Sequence, residues 1–117
     1  MTHDEVGDQL TEWGSVVRLV TRGRVSGREV AAAVGFIEEA DGSLLVAAGD
    51  PDAGWARNLE ADPACRLTLG ERSWDARAEP LDRESAGRAV RDLILRYGTP
   101  AERLGRGPAF RLRPSGG

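Results

Sequence analysis

The sequence predicts an antiparallel β-barrel flanked by two helices, a mainly β member of the α+β class. Three observations lead there. Short apolar stretches recur along the chain, several with a two-residue period; glycine-containing turn signals separate them; and only two segments carry helical periodicity, too few to cover a parallel sheet.

The elements follow in order. SVVRLVT (15–21) is rich in β-branched and aliphatic residues and reads as the first strand. REVAAAVGFIEE (28–39) is a second extended stretch, although its alanines also suit a helix. Asp41-Gly42 then separates GFIEEA from SLLVAAG. This dipeptide favours a type I′ hairpin, in which both central residues take positive φ, so the second and third strands are expected to pair. CRLTL (65–69), Gly70-Glu71 and SWDARAE (73–79) make a further hairpin, with Trp74, Ala76 and Ala78 on one face and Ser73, Asp75, Arg77 and Glu79 on the other. AFRLRP (109–114) alternates Phe110 and Leu112 against Arg111 and Arg113 and ends at Pro114.

DRESAGRAVRDLILRYG (82–98) is the long helix: Asp82 suits the N-cap, Ala86, Ala89, Val90, Leu93, Ile94 and Tyr97 recur at spacings of three and four, and Gly98 closes it. The shorter DAGWARNLEADP (52–63) takes Asp52 as its cap and must stop before Pro63. Trp55, Asn58 and Leu59 then share one face. A single barrel domain is expected over 14–114, preceded by a segment at 1–13 that is frayed or helical and followed by the tail 115–117.

Composition excludes several functions. A net charge of −3 and a pI near 5.2 argue against a nucleic-acid surface, and no run of charge forms a basic stripe. The chain contains no lysine, so every basic side chain is arginine, the one suited to bidentate contact with carboxylate or phosphate. Cys65 is the only cysteine and MTHDEVGDQL is acidic where a signal peptide is basic, so a cytoplasmic protein is expected. No apolar run approaches the roughly 18 residues of a membrane helix. His3 is the only histidine, which leaves no Ser-His pair and no histidine-based metal site. Gly23-Arg24-Val25-Ser26-Gly27 places its serine one position too late for a nucleophile elbow, and no Walker loop or dinucleotide fingerprint occurs.

TRGRVSG (21–27) has two readings. Its glycines permit a tight turn that exposes backbone N–H groups, and Arg24, Ser26 and Arg28 add donors that can converge on an anion. Equally, it is a hairpin loop carrying solvated arginines.

The ordered set GRVSGR, DGSLLVAAGD, WARNLEADP, CRLTL, WDARAEPL, a long helix and a last strand resembles the deazaflavin-dependent nitroreductase family over residues 14 to 114. The resemblance implies a split β-barrel like that of the pyridoxine-phosphate-oxidase-like flavoproteins. It implies coenzyme F-420 as cofactor and hydride transfer to a nitroaromatic, a quinone or a similar small acceptor. Carried over by residue, it assigns Arg24, Ser26, Gly27 and Arg28 to the phosphate-containing tail, backbone groups of Ala48, Gly49 and Asp50 to the ring edge, Trp55 to the ring, Asn58 to the polar linker, and Tyr97 to proton donation. The chain departs from the family pattern at Val25, Val30, Ala32 and Asp50, which lowers the positive charge of the anion site, and at Pro100 and Arg103, where tyrosines are expected. These departures leave two alternatives: a non-catalytic barrel holding a small amphipathic ligand, and an FMN-binding oxidoreductase. No nucleic acid and no transmembrane segment is expected, and the assembly is a monomer or a homodimer.

Overall fold

The structure is a computed structural model that describes residues 16–98 and 106–115. The expected leading segment, His3, Pro100 and Arg103 lie outside them. The described elements are β1 (Val17–Arg22), β2 (Glu29–Val34), β3 (Ile37–Glu38), β4 (Leu44–Ala47), α1 (Gly54–Ala61), β5 (Ala64–Leu69), β6 (Arg72–Pro80), α2 (Arg83–Tyr97) and β7 (Ala109–Pro114).

All seven strands join one sheet in the order β2-β1-β5-β6-β7-β4-β3, each neighbour antiparallel. β2 and β3 occupy opposite margins, yet only Gly35 and Phe36 lie between them in the chain. Laid flat, such a sheet would hold its margins about 29 Å apart. Three peptide steps from Val34 to Ile37 reach about 11 Å. The sheet therefore curls until the end of β2 meets the start of β3, leaving the rest of the two margins apart, and the interior of the curl is the core: Val17, Leu19, Leu44, Val46, Leu67, Phe110 and Leu112 are essentially inaccessible. This is the split barrel that the sequence led us to expect.

The expected single strand over 28–39 is broken in two. The Tyr97 ring packs against the break: a Cβ on Gly35 would lie 3.0 Å from Tyr97 Cε2, so a larger residue there would push the ring back by a few tenths of an ångström. Phe36 turns inward, 3% exposed. In consequence β2 pairs with β1, and only the short β3 pairs with β4.

The Asp41-Gly42 turn is also not type I′, because Gly42 alone takes positive φ, at 89°. The Gly42 N–H donates to the Glu39 carbonyl (3.0 Å), and Glu39 N–H donates to Ser43 (2.8 Å), giving a three-residue loop with glycine in the left-handed position. Asp41 Oδ1 accepts the Ser43 N–H at 2.9 Å, which holds its carboxyl below the usual carboxylate range. The Gly70-Glu71 hairpin forms as expected, with Leu69 opposite Arg72.

α2 matches the sequence closely. Asp82 caps it by accepting the Ser85 N–H at 2.7 Å, Gly98 ends it at φ 79°, Ala89 is buried, and Leu93 clusters with Ala47 and Ala109. Full burial of Leu93 contributes about 1.5–3 kcal/mol. α1 corrects one expectation. Its N-cap is Ala53, which offers no capping side chain, and Asp52 lies one residue before it. Asp50 makes the lead-in turn instead: its carboxylate accepts the Asp52 N–H (2.8 Å) and its carbonyl the Ala53 N–H (3.1 Å). α1 ends at Ala61, two residues short of Pro63.

Candidate functional site

The β1–β2 hairpin closes on the register pair Arg22 and Glu29, so Gly23 to Arg28 form its loop. Gly23 N–H donates to the Arg28 carbonyl at 2.7 Å and Gly27 N–H to the Gly23 carbonyl at 2.9 Å. A side chain at Gly23 would be crowded, since its Cβ would stand 2.8 Å from Ser26 Oγ and 3.2 Å from the Arg28 carbonyl oxygen, and one of them would have to shift. Gly27 takes φ 72°, which glycine adopts without strain. Ser26 Oγ accepts the Arg28 N–H at 3.2 Å and keeps its own proton to donate.

α1 packs on β1 and β2 and brings Asn58 beneath this loop. Asn58 Oδ1 accepts two bonds from Arg24, one from the backbone N–H (3.2 Å) and one from Nη1 (2.9 Å). Asn58 Nδ2 donates to Thr21 Oγ1 at 3.0 Å. Asn58 is 4% and Thr21 1% exposed, so the amide and hydroxyl are satisfied inside the protein, where an unmet polar group costs about 1–3 kcal/mol. Arg24 and Arg28 are exposed, and among the described residues neither has a carboxylate partner. Arg24 thus retains Nε and Nη2, the edge of a guanidinium that grips an oxyanion with two parallel bonds. Val25 stands out at the tip, 94% exposed.

The structure therefore brings Arg24, Ser26, Gly27, Arg28 and Asn58 together. Trp55 lies three residues before Asn58 on the same helix and stacks edge to face on Phe110, ring centres 6.1 Å apart. Ala48, Gly49 and Asp50 run from β4 towards α1. Both backbone groups of Ala48 are taken, its N–H by the Pro108 carbonyl (2.9 Å) and its carbonyl by the Gly107 N–H (3.2 Å). Tyr97 stands apart from the loop. Its hydroxyl accepts the Phe36 N–H at 3.0 Å and donates to the Phe36 carbonyl at 3.3 Å, and Arg96 Nη1 joins the same carbonyl at 3.0 Å.

Sequence reasoning missed Thr21. The signal was present, for Thr21 continues the inward row of Val17 and Leu19, and a polar side chain on an inward row must find a partner. Cys65 offers no nucleophile, since burial, with Asp75 adding to it, pushes the thiol up to about 12. Among the described residues no cluster of three metal-ligating side chains exists, and no helix is long and apolar enough to cross a membrane.

The fold is the split barrel of the pyridoxamine-phosphate-oxidase-like proteins, and in this chain it carries a donor-rich hairpin backed by a short helix. The sequence signature of the family described as "F420H(2)-dependent quinone reductase" matches residues 1–103, and the chain belongs to that family. Solved structures agree on the fold. An F420-H2 dependent reductase superposes with a TM-score of 0.69 at 22% identity, over 85% of this chain and 94% of the other. A domain-swapped dimer gives 0.70 at 22%, over 94% and 96%. HutZ, a heme storage protein from Vibrio cholerae, gives 0.68 at 22%, over 98% and 91%. At such identities the likeness is one of fold alone. No curated protein matches the chain in sequence.

Proposed function

We propose that the chain is an F-420-dependent oxidoreductase that holds the reduced deazaflavin against the barrel and passes hydride to a quinone, with nitroaromatics as further acceptors. One observation carries the reading: in a chain of this family, Arg24 is fixed by Asn58 while its bidentate edge stays open. The donor set fits the acidic part of the coenzyme. Two arginines with no carboxylate partner among the described residues, the Ser26 hydroxyl and the open space around Gly27, where an added Cβ would meet nothing within 4 Å, suit a phosphate. When bound, the coenzyme supplies the hydride.

The protein's part is binding and orientation. Arg24 and Arg28 neutralise the phosphate-bearing tail, with Ser26 and Gly27 giving the anion room and a donor. Trp55, fixed by Phe110, offers a flat wall for the ring, and the 49–50 backbone borders it. We assign Tyr97 the role of holding Phe36, since its hydroxyl proton is directed at a backbone carbonyl. The reading places the chain in the cytoplasm with a small-molecule acceptor as its partner. The exposed margin of β2, with Val30, Ala31 and Ala33, suits a second copy in a homodimer.

Titration of the protein with coenzyme F-420 and, separately, with FMN tests this by the fluorescence of each ligand. Binding of F-420, with an affinity at least about tenfold weaker in Arg24→Ala, is expected. Binding of FMN alone supports the oxidase-like alternative. Binding of neither leaves a barrel that holds some other small ligand. Turnover of a soluble quinone and a nitroaromatic with reduced F-420 then ranks the acceptors.

A further inference from the structure

We infer that Thr21 and Asn58 are positioning residues that set the Arg24 guanidinium for an oxyanion, an inference that rests on the anion-site reading above. Neither is available to a ligand: Thr21 is 1% and Asn58 4% exposed. Their effect must pass through Arg24.

An asparagine amide has a donating and an accepting end, and the two orientations differ in what they present to the loop. Thr21 Oγ1 takes the Nδ2 end at 3.0 Å, and Oδ1 faces Arg24. The opposite orientation would set an NH₂ group against the two Arg24 donors that now converge on Oδ1. The two Arg24 donors, which can only donate, select this orientation; Thr21 anchors the far end of the amide by accepting from Nδ2, and the anchored amide decides where Nη1 lies. Because Oδ1 also holds the Arg24 backbone N–H, the start of the side chain and its end are pinned by one atom. A free arginine loses rotamer freedom on closing over an anion. Here that loss is incurred on folding, and Nε with Nη2 is presented in a fixed plane. The Arg24 side chain is exposed, but its fastening is buried.

The test compares Thr21→Val, which keeps the shape and removes the hydroxyl, with Thr21→Ser, which keeps the hydroxyl. With coenzyme F-420 as the probe, Thr21→Val weakens binding about five- to tenfold and Thr21→Ser stays within about twofold of the wild type. In an Arg24→Ala background Thr21→Val adds less than about twofold, since the route ends at that guanidinium. Wild-type affinity in Thr21→Val, or an undiminished loss on top of Arg24→Ala, overturns the inference. A second measurement needs no ligand. Amide exchange at Arg24 speeds up in Thr21→Val and returns to the wild-type rate in Thr21→Ser, while exchange at Val46, in β4, is unchanged. Should Thr21→Val fail to fold, Thr21→Ala removes the same hydroxyl and is read in the same way. If the wild type binds no F-420, the coenzyme reading alone falls. Unaltered Arg24 exchange in Thr21→Val then overturns the positioning role.

Discussion

Two loops of this barrel are fastened by side chains from helices, and they are fastened differently. At Phe36, where the margins of the sheet meet, Tyr97 takes both the N–H and the carbonyl of one residue, and Arg96 adds a bond to that carbonyl while its guanidinium lies 4.5 Å from the Phe36 ring centre. Both backbone groups of Phe36 are met, and the residue is buried. At the 23–28 loop Asn58 takes one edge of Arg24 and stops. The other edge, Arg28, Ser26 and the space at Gly27 stay open to solvent. The first arrangement closes structure; the second leaves donors that a ligand can complete.

Substitutions can break that division. The largest effect is expected at the joint: Tyr97→Ala removes a partly buried ring and leaves the Phe36 N–H unmet, lowering stability by about 3 kcal/mol in urea unfolding. Affinity for F-420, measured where the variant is folded, stays at the wild-type value. A large loss of affinity with stability intact would place Tyr97 in the site instead. The mirror image is Arg24→Ala, which moves stability by less than about 0.5 kcal/mol, since Asn58 keeps the Arg24 backbone N–H, while affinity falls at least about tenfold. Gly27→Ala comes next. Nothing crowds the new methyl group, so the cost is the strain of positive φ alone, about 1–2 kcal/mol by thermal unfolding.

The smallest effects lie away from both loops. Asp82 is held below its ordinary value of 3.8, chiefly by the Ser85 backbone N–H. A lowered folded value gives stability that is present above 3.8 and is lost as pH falls through the folded value, so acid weakens the α2 cap. Asp82→Asn keeps the cap and removes that pH dependence, which acid titration followed by circular dichroism reads directly. Cys65 should show no reaction with a thiol reagent at pH 8 until the protein is unfolded, as its thiol is protonated up to about 12 in the fold.

The fold was legible where one residue's neighbours in sequence decide its environment. The alternation Trp74, Ala76, Ala78 and the Asp82 and Gly98 caps needed only local geometry, and they stand as expected. The break at Gly35 was not legible, because the Tyr97 ring that packs against it is supplied from α2, far along the chain. The same holds at the site. GRVSG announced a turn with donors, yet that Asn58, 34 residues on, would pin Arg24 rather than stand beside it depends on how α1 lies across β1. The Asp52 cap failed because α1 starts one residue later than the sequence suggests: Ala53 takes the cap position and Asp52 lies within the turn that the Asp50 carboxylate closes.

The place of β7 has a consequence for the continuity of the sheet. It is the last strand, and it lies between β6 and β4. Take it away and the remaining strands fall into two separate ribbons, β2-β1-β5-β6 and β4-β3. Residues 109–114 are thus the one strand whose pairing on both sides joins the two ribbons into a single sheet.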